Sequence, residues 1–107
     1  MGIKLVDIAS VIRSKNSGPY ELTLDIIFRD QQWYERAKEA KVIHKGLISE
    51  IYGIPEEEVR DIIEFDPAGA IKINLKRPTV SGDVGDTDIY GAQQHAPLLR
   101  LEFPELP

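Results

Sequence analysis

The segment Thr79 to Pro97, TVSGDVGDTDIYGAQQHAP, gathers most of the side chains in this sequence that could do chemistry. Asp83, Asp86 and Asp88 are carboxylates suited to a hard cation or to general-base work. His95 is the side chain best matched to proton transfer near neutral pH. Tyr90 adds a phenol, and Gln93 and Gln94 set polar amides beside His95. Gly82, Gly85 and Gly91 allow backbone amides to approach a ligand closely, and successive turns can form a nest for an anion. The spacing is not that of a calcium-binding EF-hand loop, which needs Asp-x-Asp-x-Asp-Gly and a later glutamate. A plainer use exists for the same residues. Asp and Gly build tight turns in which the carboxylate caps local amides, and His95 can be a structural residue bonded to backbone. A stretch this long without a core pattern is uncommon in a compact domain, and is usually functional or disordered; its aromatic and apolar residues argue against disorder.

A second cluster is Arg13-Ser14-Lys15-Asn16-Ser17-Gly18-Pro19. Arg13, Lys15 and Asn16 could bind a carboxylate or phosphate, or could form a solvated turn ahead of a strand. The pattern lacks the two glycines before Lys-Ser/Thr of a phosphate-binding P-loop. Asp66, in Phe65-Asp66-Pro67-Ala68-Gly69-Ala70, reads either as a functional carboxylate at a strand end or as the cap of the turn that Pro67 enforces. His44 is expected at the surface, Glu56 to Glu58 at a solvated helix start, and Trp33 and Tyr34 in the core and rim of a helix.

These groups need elements to hold them. Leu5, Ile8, Ala9 and Ile12 are spaced for a helix, but the β-branched content also permits a strand. Ser14 to Pro19 reads as a turn. Tyr20 to Phe28 alternates apolar and polar residues, as a half-buried strand does. Asp30 is placed to cap a helix carrying Trp33, Tyr34, Ala37 and Ala40 or Lys41. A second helix runs from Lys45 to Tyr52 and ends at Gly53. Val59 to Phe65, Ala70 to Leu75 and Leu98 to Phe103 read as strands, and Pro104 to Pro107 as a frayed tail. With helices in the middle and strands at the ends, residues 1–107 are expected to form one α+β domain, a sandwich with helices on one face of a mostly antiparallel sheet.

Composition narrows the function classes. The chain has 107 residues and no cysteine, which excludes a disulfide framework, a zinc-thiolate or iron–sulfur site and a cysteine nucleophile. Acidic residues outnumber basic ones 18 to 13, and no basic stripe competes for phosphate, so no nucleic-acid partner is expected. No run of about 18 apolar residues marks a membrane span, and Met1 to Ser10 does not read as a signal peptide. A cytoplasmic protein with no membrane partner and no metal or cofactor is expected. A homo-oligomer through exposed sheet edges remains open.

Three segments, IRSKNSGPYELTLDIIF, FDPAGAIKINLKRP and SGDVGDTDIYGAQQHAPLL, closely resemble a family of small bacterial and archaeal domains of unknown function. The resemblance covers Leu5 to Leu99. Members are found beside, or fused to, large proteins of the acyclic terpene utilisation type. The chain also looks like a relative of the small ferredoxin-like α+β domain that ends those large proteins. That domain carries Arg-Ser-Gly-Asp-Lys-Gly after its first strand. At the matching place this sequence reads Arg13-Ser14-Lys15-Asn16-Ser17-Gly18, without the aspartate. The resemblance implies a ferredoxin-like two-layer sandwich that is the small subunit or accessory domain of a two-component enzyme. The enzyme would be of hydrolyase or isomerase type, acting on acyl-CoA thioesters or small carboxylic acids, with the large protein as partner. No catalytic residue carries over from the family. In this setting Arg13 and Lys15 would neutralise a carboxylate or phosphate, assisted by Asn16, Gly82, Asp83, Gly85 and Gln94. His95, Tyr90 and Asp86 or Asp88 would complete an acid–base site at the interface. The alternative is a non-catalytic assembly module of the same complex, with the aspartates as caps.

Overall fold

The structure is a computed structural model that describes residues 2–18, 21–76 and 96–103. A short strand, β1 (Ile3–Lys4), leads into one helical turn, α1 (Leu5–Ile8), and then into the long strand β2 (Ala9–Gly18). Both readings of the first segment are therefore realised in succession. Leu5 and Ile8 are buried from one turn, and the β-branched Val11 and Ile12 continue as strand. Strand β3 (Glu21–Phe28) pairs antiparallel with β2 from Ala9↔Phe28 to Gly18↔Glu21.

The expected turn at Ser14 to Gly18 is strand instead, with Ser14 opposite Leu24, Lys15 opposite Thr23 and Asn16 opposite Leu22. Local turn preference loses here because β3 supplies a complete ladder of backbone partners, and strand preference yields readily to tertiary context. The ladder is irregular where the turn-forming residues weaken it, with a register shift between Asn16 and Gly18.

Helix α2 (Gln31–Ala40) starts at Asp30, whose Oδ1 accepts from the Trp33 amide at 2.9 Å. It buries Tyr34 and Ala37 and stops at Lys41, which takes a left-handed conformation at φ 53°. Trp33 is half-buried at the rim, with the Arg36 guanidinium 5.2 Å from its ring centre. Helix α3 (Lys45–Tyr52) buries Ile48. Its cap is the exposed His44, whose Nδ1 accepts from the Leu47 amide at 3.2 Å. Gly53 ends it at φ 65°, where a side chain would be strained. Glu56–Glu58 form a 3-10 turn, but it opens β4 (Val59–Phe65) rather than a helix. A second 3-10 turn, Asp66–Ala68, joins β4 to β5 (Ala70–Lys76).

The four long strands form one sheet in the order β2-β3-β5-β4, every neighbouring pair antiparallel. Both α2 and α3 lie in the single connection from β3 to β4, whereas a β-α-β-β-α-β pattern puts one helix in each of two connections. The expected α+β sandwich is thus formed. Leu22, Leu24, Ile26 and Phe28 of β3, with Ile71, Ile73 and Leu75 of β5, share one core with Tyr34, Ala37 and Ile48 of the helices.

The expected strand at Leu98 to Phe103 is mostly a 3-10 helix, Ala96–Arg100, followed by the short β6 (Glu102–Phe103). Leu98 and Leu101 are both buried while Leu99 is exposed, a spacing of three that suits a 3-10 turn and not a strand. β6 pairs with β1, Ile3 opposite Phe103, so the first and last described elements meet. Among the described residues no helix is long and apolar enough to cross a membrane. Residues 104–107, expected to fray, lie outside the described residues.

Candidate functional site: the open face of the sheet

Alternation along a strand sends successive side chains to opposite faces. One set meets the helices. The other forms rows across the face that no described helix covers. In the middle row Arg13, Asp25, Lys72 and Ile63 are successive register partners on β2, β3, β5 and β4. On one side of it runs Val11, Ile27, Ala70 and Phe65, and on the other Lys15, Thr23, Asn74 and Asp61.

The middle row is organised by charge. Arg13 Nε donates to Asp25 Oδ2 at 3.1 Å, with the arginine side chain 63% exposed and the aspartate 13%. Lys72 follows on the next strand and is exposed. Two cations against one carboxylate leave the row with one surplus positive charge. Among the described residues neither Lys72 nor Lys15 forms an ion pair. Thr23 Oγ1 donates to Asn74 Oδ1 at 2.9 Å and closes the polar row beside it.

A groove of about 440 Å³ lies over this face, with Arg13, Asp25 and Lys72 along one side. Its remaining lining is apolar: Ile27, Ile63, Phe65, Ala68 and Ala70. Ile63 and Phe65 are 46% and 56% exposed, large apolar side chains that no described element covers. The arrangement can hold an anionic head beside an apolar body. Among the described residues of the groove, no side chain is paired with a base as a nucleophile would be.

Of the residues singled out by sequence, Arg13 and Lys15 share this open face. Asn16 does not join them. It and Ser14 take the face that carries Leu22 and Leu24, because the segment is a strand and not a turn. Gly82, Asp83, Gly85, Asp86, Asp88, Tyr90, Gln94 and His95 lie outside the described residues. Sequence reasoning passed over Asp25, Lys72, Ile63 and Phe65. The polar positions of ELTLDIIF and AIKINLK marked the outer face, but nothing local showed that Asp25 and Lys72 stand beside Arg13.

A second polar group has a different character. Tyr34 Oη donates to Asp66 Oδ1 at 2.5 Å, Lys38 Nζ donates to the same oxygen at 3.1 Å, and Gln31 Nε2 donates to the Asp66 carbonyl at 3.1 Å. Burial pushes the Tyr34 hydroxyl well above its ordinary pKa, and the Asp66 carboxylate raises it further. The hydrogen bonds from Tyr34 and Lys38 hold the Asp66 carboxyl below the usual range, and the bond to Asp66 raises Lys38. A phenol so disfavoured as an acid is a poor proton donor at neutral pH. Asp66 is therefore a tether: its side chain ties the turn between β4 and β5 to α2, while its carbonyl accepts from the Gly69 amide at 3.1 Å. Among the described residues no group of His, Asp or Glu is arranged to hold a metal ion.

No curated protein and no solved structure matches the sequence. A family model described as a domain of unknown function, DUF4387, matches residues 5–102, a span that contains the three segments quoted above. The chain belongs to the DUF4387 family of domains of unknown function.

Proposed function

We propose that the chain is the small subunit or accessory domain of a two-component enzyme of hydrolyase or isomerase type, acting on acyl-CoA thioesters or small carboxylic acids in the cytoplasm. Its partner is a large protein of the acyclic terpene utilisation type, whose small terminal domain this chain resembles in sequence. The observation that carries the reading is the open sheet face. Among the described residues the groove has a floor and no roof, so a second wall would be needed to exclude water, and Ile63 and Phe65 offer apolar surface for it. Arg13, in the segment that resembles the Arg-Ser motif of the large protein's own small domain, lies along that groove.

Co-expression with the neighbouring large protein, followed by sizing chromatography with light scattering, tests the reading. Co-elution at fixed stoichiometry is expected, with loss of the complex in an Ile63→Ser/Phe65→Ser double variant. Separate elution of the two wild-type proteins removes the partner. An assembly module without a chemical role is the second reading, favoured by the lack of an acid–base pair among the described groove residues. In that case Asp86→Ala and His95→Ala leave turnover of the intact complex unchanged.

A further inference from the structure

We propose that the groove on the open face is a binding site for a monocarboxylate with an apolar tail. Its carboxylate lies between Arg13 and Lys72, and its tail lies over Ile27, Ala70 and Phe65. The proposal rests on the reading of this face as half of a substrate site and names the ligand class.

Charge complementarity selects the head group. Asp25 is mostly covered and already bonded to Arg13 Nε, whereas Arg13 is largely exposed and Lys72 is exposed on β5, on the other side of Asp25. Among the described residues, the accessible charge at this edge of the groove is therefore positive. A guanidinium engaged through Nε keeps its terminal nitrogens as donors, and among the described residues nothing accepts from them. A carboxylate matches the geometry of that fork. Phosphate has the same charge sign, but an apolar body beside the head would gain nothing from a free phosphate.

The rest of the groove selects the tail. Ile27, Ala70 and Phe65 form the row next to the cations, and Ile63 and Ala68 complete the wall. The volume of about 440 Å³ falls within the range of roughly 300–1,000 Å³ typical of small-molecule sites. A cationic or neutral amphiphile would cover the same apolar surface but bring no counter-charge to the surplus positive charge of the row. The small alanines at 68 and 70 leave space that larger residues would close.

The test is a titration of the isolated full chain, followed by two-dimensional amide NMR, with hexanoate, hexan-1-ol and hexylammonium as probes. Hexanoate should give saturable shifts at the amides of Arg13, Asp25, Lys72 and Phe65, with weaker binding of hexan-1-ol and none of hexylammonium. Arg13→Gln and Lys72→Gln, each with native spectral dispersion, should each weaken hexanoate by about threefold, in line with the range for solvent-exposed ion pairs. Asp25→Asn should tighten it, because the variant removes the one negative charge at the head while a merely structural ion pair would lose affinity in both variants. Equal binding of hexan-1-ol and hexanoate, shifts elsewhere on the molecule, or weaker binding in Asp25→Asn overturns the proposal. Failure here with intact co-elution removes the ligand and leaves the partner. Saturable hexanoate binding with separate elution does the opposite.

Discussion

The two faces of the four-stranded sheet are built by the same strands from alternate residues, yet they carry different duties. On the inner face Leu24, Ile26 and Ile73 are fully buried against the helices. On the outer face Ile63 and Phe65 are about half exposed, and the centre is a row of charged side chains. Burial of apolar area stabilises at roughly 25 cal/mol per Å², so nearly all of that contribution comes from the inner face. The outer face meets no described helix and carries an ion pair, a lysine that forms no ion pair among the described residues, and a groove. The two polar clusters repeat the contrast. The Tyr34–Asp66–Lys38 group has its hydrogen bonds made and holds two elements together. The Arg13–Asp25–Lys72 row keeps accessible positive charge.

The sharpest way to break this comparison is to delete matched methyl groups on the two faces. Ile73→Ala should cost about 2–5 kcal/mol in urea denaturation, as buried truncations do, whereas Ile63→Ala should change stability by less than about 0.5 kcal/mol. Equal costs would mean that the outer face is packed too. A smaller effect is expected at the tether. Tyr34→Phe keeps the ring, whose centre lies 6.1 Å from that of Phe28, and removes only the bond to Asp66. It should lose about 1 kcal/mol, with the Asp66 carboxyl titrating closer to its ordinary value by NMR.

The tether also gives a pH signature. The Asp66 carboxyl is held below its ordinary 3.8, so its contribution is present above that pH and is lost as pH falls through the lowered folded value. Lys38 is raised above its ordinary 10.5, so its share is complete below that pH and is lost only as alkali passes the raised value. Wild type should therefore exceed Asp66→Asn in stability at neutral pH and converge with it in strong acid. A constant gap across the acid range would show that the carboxylate charge contributes nothing. The smallest stability effect belongs to Arg13→Gln. Its exposed ion pair should be worth less than about 1 kcal/mol, and a larger loss would mark Arg13 as part of the scaffold, against its place on the free face.

Much of the local structure was legible without coordinates. Asp30 as a cap, Gly53 as a stop and the alternation of Glu21–Phe28 and Ala70–Lys76 each depend on a few adjacent residues. Two segments misled for physical reasons. Ser14 to Gly18 has the residues of a turn, and only the ladder offered by β3 makes it strand. Leu98 to Phe103 has strand-like composition, and the burial of Leu98 and Leu101 together turns it into a 3-10 helix. Of the candidate site, Arg13 and Lys15 were visible as exposed cations, while Asp25, Lys72, Ile63 and Phe65 were not recognised.

The sequence by itself determined the helix ends, the strand periods and the class of sandwich, because caps and side-chain alternation are set within a turn or a few residues of chain. Only the tertiary structure decided which rows exist. Arg13, Asp25 and Lys72 lie far apart in sequence and become neighbours through the registers of β2 with β3 and of β3 with β5. Alternation tells a residue which face it takes but not which strand stands beside it. That choice is made by the fit of whole apolar faces against the helices, and the charged row on the other side follows from it.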